Sequence, residues 1–162
     1  MSLQITRRAD YAVRTMIEVV RSGDGAPVLT QEVAARQGIP APFLAKIVLA
    51  LTRGGLLRSY RGAGGGITLA RPAESITLLQ VVEAVDGPIA VSSCVLWPEE
   101  CSRSGVCPVH EIWCEARTLL VNRLKETTLA ELARRAESTT GSAVRAASGH
   151  GATTPGRDGG GA

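Results

Sequence analysis

Residues 56–72, LLRSYRGAGGGITLARP, place the strongest constraint on what this chain can become. They read as two short strands joined by a glycine-rich turn, because consecutive glycines permit φ > 0 conformations that other residues resist. Everything before them repeats its apolar residues at helical spacing instead. A hairpin planted directly after such a run limits the fold to helices packed against a small sheet. GAGGG is no phosphate loop, since it lies between strands and lacks the Lys-Ser/Thr and the helix that such a loop feeds.

The helical run before the hairpin divides into three. Thr6 is placed to cap a first helix in which Ala9, Ala12, Val13, Met16 and Val20 follow i, i+3, i+4, i+7 spacing, ending by Ser22-Gly23. A second helix starts at Thr30, sets Glu32 near its positive dipole end and closes on Gly38. A third opens with Pro42 and buries Leu44, Ile47, Val48 and Leu51 before Gly54-Gly55.

After the hairpin, Thr77 and Gln80 form a capping box for a helix that runs to Gly87-Pro88. A longer helix begins at Pro108, with Val109, Ile112, Trp113, Ala116, Leu119, Leu120 and Leu124 along one broad face. In so small a chain, such a face points to packing against a second subunit. Thr128 and Glu131 start a short last helix, and the Gly/Ala/Ser/Thr composition from 139 onward predicts a disordered tail.

Helix, helix-turn-helix, hairpin is the order of a winged helix-turn-helix. The expected fold is therefore mainly α with a small β-hairpin: a winged helix-turn-helix over 1–87, a loop over 88–107, and a long dimerisation helix plus a short helix over 108–138. The tail covers 139–162. Aromatics are only five (Tyr11, Phe43, Tyr60, Trp97, Trp113), so aliphatic and alanine-rich helices must supply the core.

The net charge of +3 conceals an asymmetry: residues 1–61 carry nine Lys/Arg against four Asp/Glu, and residues 72–131 carry four against nine. A basic front end suits an anionic partner, and this element order makes that partner double-stranded DNA. Ala41, Pro42, Ala45 and Lys46, off the buried face of the third helix, are the candidate major-groove residues. Lys46 offers a donor to a guanine edge or a phosphate; the others offer apolar contact. Arg58 and Arg61 flank the hairpin, where a guanidinium suits a narrow, electronegative minor groove.

All four cysteines and one of the two histidines fall in residues 92–114, SSCVLWPEECSRSGVCPVHEIWC. Disulfides, a zinc site, a redox switch and an iron-sulfur cluster are all chemically open to such a run. No apolar run reaches the eighteen or so residues of a membrane span, and the first residues lack a signal-peptide core. The expected setting is the cytoplasm, with no membrane partner, where stable disulfides are rare.

The run GIPAPFLAKIVLALTRGGLLRSYRGAGGGITLARP, followed by ITLLQVVEAVDGP and three spaced cysteines, resembles the bacterial iron-sulfur regulators of the IscR, NsrR and RirA type. The similarity covers about residues 1–137. It implies a homodimeric winged-helix transcription factor, not an enzyme, whose long helix after the cysteine loop forms most of the dimer interface. It also implies an iron-sulfur cluster, [2Fe-2S] or [4Fe-4S], on Cys94, Cys101 and Cys107. The fourth ligand implied is His110, or alternatively Asp10 from the other subunit's first helix. Cys114, four residues after His110, is a third possibility, with a small buried hydrophobe as its plainer role. Pro42 and Ala45 depart from the polar and acidic side chains of IscR-like recognition helices, so operator choice does not carry over.

The expected function is an operator-binding regulator controlled by a cluster that senses iron-sulfur status, redox stress or nitric oxide. A zinc-stabilised interaction module on Cys94, Cys101, Cys107 and His110 is one rival, and a thiol-disulfide sensor is another.

Overall fold

The computed structural model describes residues 5–22, 25–62, 65–103 and 105–148. Helix α1 (Arg7–Arg21) is capped by Thr6, whose hydroxyl accepts the Ala9 N–H at 3.0 Å and donates to Asp86 at 2.6 Å. One small side chain thus fixes where α1 begins and ties it to the end of α4 (Leu78–Asp86). Helix α2 (Thr30–Gln37) ends at Gly38, left-handed at φ 61°, and α3 (Ala41–Arg53) follows two residues later. Glycine takes that conformation without the Cβ clash another residue would meet, so the sharp α2–α3 turn depends on it.

The hairpin pairs β1 (Leu57–Tyr60) with β2 (Gly66–Leu69) antiparallel, Leu57 opposite Leu69 and Tyr60 opposite Gly66. Sequence reasoning credited its glycines with positive φ, which Gly62 does adopt at 99°. Gly66 serves a different end. Val28 bridges to Ile67 through two backbone hydrogen bonds of 2.8 and 2.9 Å, and a Cβ on Gly66 would sit 2.4 Å from the Val28 carbonyl oxygen. The missing side chain lets a third backbone segment reach the sheet.

The core gathers Ala9, Ala12 and Met16 from α1, Val33 from α2, Leu44, Ile47 and Leu51 from α3, Ile67 from the hairpin and Val81 from α4, all fully buried. The Thr77–Gln80 capping box starts α4 as expected. Beyond it come a short helix α5 (Ser93–Leu96), a 3-10 turn (Pro98–Glu100), α6 (His110–Glu126) and α7 (Leu129–Ser148). The start of α7 is clipped to the start of α4: Leu78 N–H donates to Thr127 O at 2.9 Å, and Leu129 N–H to Ile76 O at 2.8 Å.

Two boundaries differ from expectation. α6 begins at His110 and not Pro108, and α7 is a twenty-residue helix where a short one was expected, so residues 139–148 continue a helix where a disordered tail was expected. Alanine-rich composition is helix-permissive as well as low in complexity, and here helix propagation from a well-capped start prevails. Residues 149–162 lie outside the described part. Among the described residues no helix is long and apolar enough to cross a membrane.

Candidate functional site

The two ends of the molecule carry two kinds of chemistry. At the first, α3 turns Leu44, Ile47, Val48 and Leu51 inward, which leaves Ala41, Pro42, Ala45 and Lys46 exposed as expected. Arg58 on β1 and Arg61 beside the turn are exposed as well. Between α3 and the hairpin runs a cleft of about 540 Å³, lined by Thr30, Ala45, Val48, Leu49, Thr52, Ser59 and Arg61. Sequence reasoning missed Leu49, Thr30, Thr52 and Ser59. Leu49, one turn after Ala45, was legible from helical spacing; the three hydroxyls, on three separate elements, were not.

The helix-turn-helix is braced from behind by a polar network. Glu18 on α1 is 7% exposed, and its carboxylate accepts from Arg36 at 3.1 Å and from the Gln37 amide at 2.8 Å. Arg14 on α1 donates to the Gln37 side chain at 3.2 Å and also to its backbone carbonyl. A buried carboxylate needs such donors, because an unpaired charge there costs several kcal/mol. The network therefore orients α2, and through the Gly38 turn α3, on α1.

At the second end, Cys94 lies in α5 and Cys101 directly follows the 3-10 turn. Both line a cavity of about 410 Å³ together with Ser92, Ser93, Trp97, Ser102 and Arg103. Ser92 Oγ approaches Cys94 Sγ at 3.4 Å. Cys107 sits apart from that cavity, and its carbonyl accepts the His110 N–H at 3.2 Å. All four cysteines are free, half-buried thiols.

His110 and Cys114 meet on α6, Nε2 to Sγ 3.6 Å, while His110 Nδ1 is buried without a hydrogen-bond partner. Cys114 thus lies on α6, half-buried, with His110 as its neighbour one turn back. Asp10, on α1, is ion-paired to Arg14 at 3.5 Å with an exposed side chain. It takes no part in lining the cavity.

Three soft thiols in one loop, followed by the His110 imidazole, match in kind the donors that iron-sulfur clusters take. The residues fit such a group. Their described arrangement is an open one: among the described residues no three of His, Cys, Asp or Glu are gathered closely enough to hold a metal.

Comparison with known proteins agrees with the DNA-reading end. The Rrf2 family pattern, described as an iron-dependent transcriptional regulator, matches residues 5–135. The HTH-type transcriptional regulator IscR of Escherichia coli is 32% identical over 130 residues, 80% of each chain. Protein rrf2 of Nitratidesulfovibrio vulgaris is 34% identical over 132 residues, 82% of this chain and 88% of the relative. Among solved structures, CymR, the global cysteine regulator of B. subtilis, superposes with a TM-score of 0.69 at 26% identity, over 83% of this chain and 98% of its own. IscR of T. potens matches in fold with the same TM-score at 24% identity, over 86% and 92%.

Proposed function

The chain belongs to the Rrf2 family of DNA-binding transcriptional regulators, and from that premise we propose that it is a cytoplasmic homodimer whose operator binding is controlled by an iron-sulfur cluster in the 88–107 loop. The observation that carries this reading is the set of three free, half-buried thiols, Cys94, Cys101 and Cys107, between the winged helix-turn-helix and α6. When bound, such a cluster supplies iron that reacts with oxidants and nitric oxide.

Cys94 and Cys101 hold one side of the site from a shared cavity. Cys107 completes the thiolate set from the α6 side, and His110 is the preferred fourth ligand, with Asp10 of the other subunit the alternative. Drawing Cys107 toward the cavity carries the first turn of α6 with it, because its carbonyl holds the His110 N–H. α6 exposes Ile112, Trp113 and Leu119 and has no buried residue of its own, as suits a helix that pairs with its copy. A shift of α6 changes the spacing of the two α3 helices, which must sit about one DNA turn apart.

The test is anaerobic purification with iron and sulfide analysis and a visible spectrum, followed by operator binding of cluster-loaded and cluster-free protein. The expected result is a coloured protein whose two forms differ about 5- to 150-fold in affinity, and whose Cys101→Ala variant is colourless. Equal affinity of the two forms for every operator tested defeats the proposal, as does a colourless protein with one zinc per chain. A thiol-disulfide switch is the second reading, favoured by Cys94 and Cys101 lining one cavity as free thiols. It predicts iron-free protein whose binding responds to a disulfide reagent.

A further inference from the structure

The outward face of α3 lacks the side-chain amides and carboxylates that read adenine and cytosine edges. From Ala41 to Arg53 there is no Asp, Glu, Asn or Gln. With Leu44, Ile47, Val48 and Leu51 in the core, the face toward solvent over the first three turns is Ala41, Pro42, Ala45, Lys46 and Leu49, of which Lys46 alone carries a side-chain donor, Arg53 following in the last turn. Phe43 is exposed too, but its ring stands edge-on to Tyr11 at 5.6 Å, held back against α1. Leu49 is 51% exposed and follows Ala45 by one turn and Pro42 by two. The three form an apolar stripe along the helix.

The surroundings of this stripe say what covers it. Lys46 and Arg53 on α3 and Arg61 in the adjoining cleft are exposed beside it, and neither α3 nor β1 contains a carboxylate, so the occupant is a polyanion. The adjoining cleft offers the hydroxyls of Thr30, Thr52 and Ser59 beside Arg61, and Thr52 Oγ1 is buried there without a partner. Hydroxyls and a guanidinium are sugar-phosphate ligands. In the major groove, the apolar feature that distinguishes one base from the others is the C5-methyl group of thymine.

We infer that this regulator selects its half-sites chiefly through thymine methyl groups packed against Pro42, Ala45 and Leu49. Lys46 is its single polar base reader, and the cleft seats the sugar-phosphate strand between the major groove and the hairpin. The inference rests on α3 being the major-groove helix, as the proposed function holds.

The test starts from duplexes that the anaerobically purified full-length protein selects out of a randomised 30-base-pair pool. Uracil then replaces thymine in the half-sites, which removes the methyl and nothing else. Each contacted methyl is expected to be worth about fourfold in affinity, which is ~0.8 kcal/mol per buried methyl-sized group at 1.4 kcal/mol per tenfold. A symmetric pair of replacements gives about fifteenfold. Leu49→Ala, at a half-exposed position and checked for folding by circular dichroism, narrows the thymine-to-uracil ratio. Arg61→Ala weakens both duplexes alike. Selected duplexes that bind equally well with uracil overturn the methyl reading while leaving α3 in the groove. Failure to enrich any duplex overturns the DNA reading itself, and this inference with it.

Discussion

The DNA-reading end and the cysteine end are built to opposite standards of order. The first is a closed core: α1, α2, α3, the hairpin and α4 each contribute fully buried side chains, and a carboxylate as deep as Glu18 has its donors. The second has little core of its own. The described loop residues are at most half-buried, α6 buries nothing completely within the chain, and Val106, Val109, Ile112 and Leu119 face outward. A reading head must present a fixed surface to DNA. A sensor, which the proposed function makes of this end, must have two arrangements of similar free energy, and under that proposal its order is completed by a second subunit and a bound group.

The sharpest way to break that comparison is in the core. Leu44→Ala is expected to cost about 2–5 kcal/mol of stability, seen as a lowered urea midpoint, because it opens a cavity where nothing can move in. A change below 1 kcal/mol would mean that the head is looser than its packing indicates. Leu119→Asp addresses the other end. Leu119 is 73% exposed within the chain, so the charge leaves the folded subunit intact while weakening the dimer by about 2 kcal/mol, measured by sedimentation across a dilution series. An unchanged dimer would move the interface off that face of α6.

Smaller effects sharpen the contrast. Thr6→Ala removes the α1 cap together with the bond to Asp86 and should lower stability by about 1 kcal/mol, read from thermal unfolding. Cys101→Ala in cluster-free protein should change stability by less than about 0.5 kcal/mol, since a half-buried loop thiol leaves no sealed cavity. Should Cys101→Ala cost as much as Leu44→Ala, head and sensor would be a single cooperative unit.

What could be read from residues alone follows the range of the interactions involved. The Thr6 cap, the Thr77–Gln80 box and the left-handed Gly38 act over four residues or fewer, and the structure contains each of them. The outward set Ala41, Pro42, Ala45 and Lys46 followed from helical period, which also specifies Leu49. Features that join distant segments were out of reach. The Val28 bridge to Ile67 depends on a lone residue in a connection without periodicity, and only the folded hairpin explains why Gly66 must lack a side chain. The Glu18 network was equally hidden, because an acidic residue in an amphipathic helix reads as solvated until Arg36 and Gln37 arrive from α2. Within the cysteine run, spacing named the thiols and set Cys114 one turn from His110, which it meets, but not that Cys94 and Cys101 share a cavity.

The clip between the starts of α4 and α7 has a mechanical consequence. α6 is seventeen residues, about 25 Å long; its last turn is anchored beside Thr127, while its first half hangs from the loop, to which Arg117 also donates through the Ile89 carbonyl at 2.8 Å. A rod pinned at one end cannot slide when its other end is pulled. It swings, and a displacement of ~2 Å at His110 becomes a rotation of about 5° about the pin, by the helix length alone. In the proposed dimer, what α6 passes to a second subunit is therefore an angle, and a paired helix swinging on its own pin doubles it.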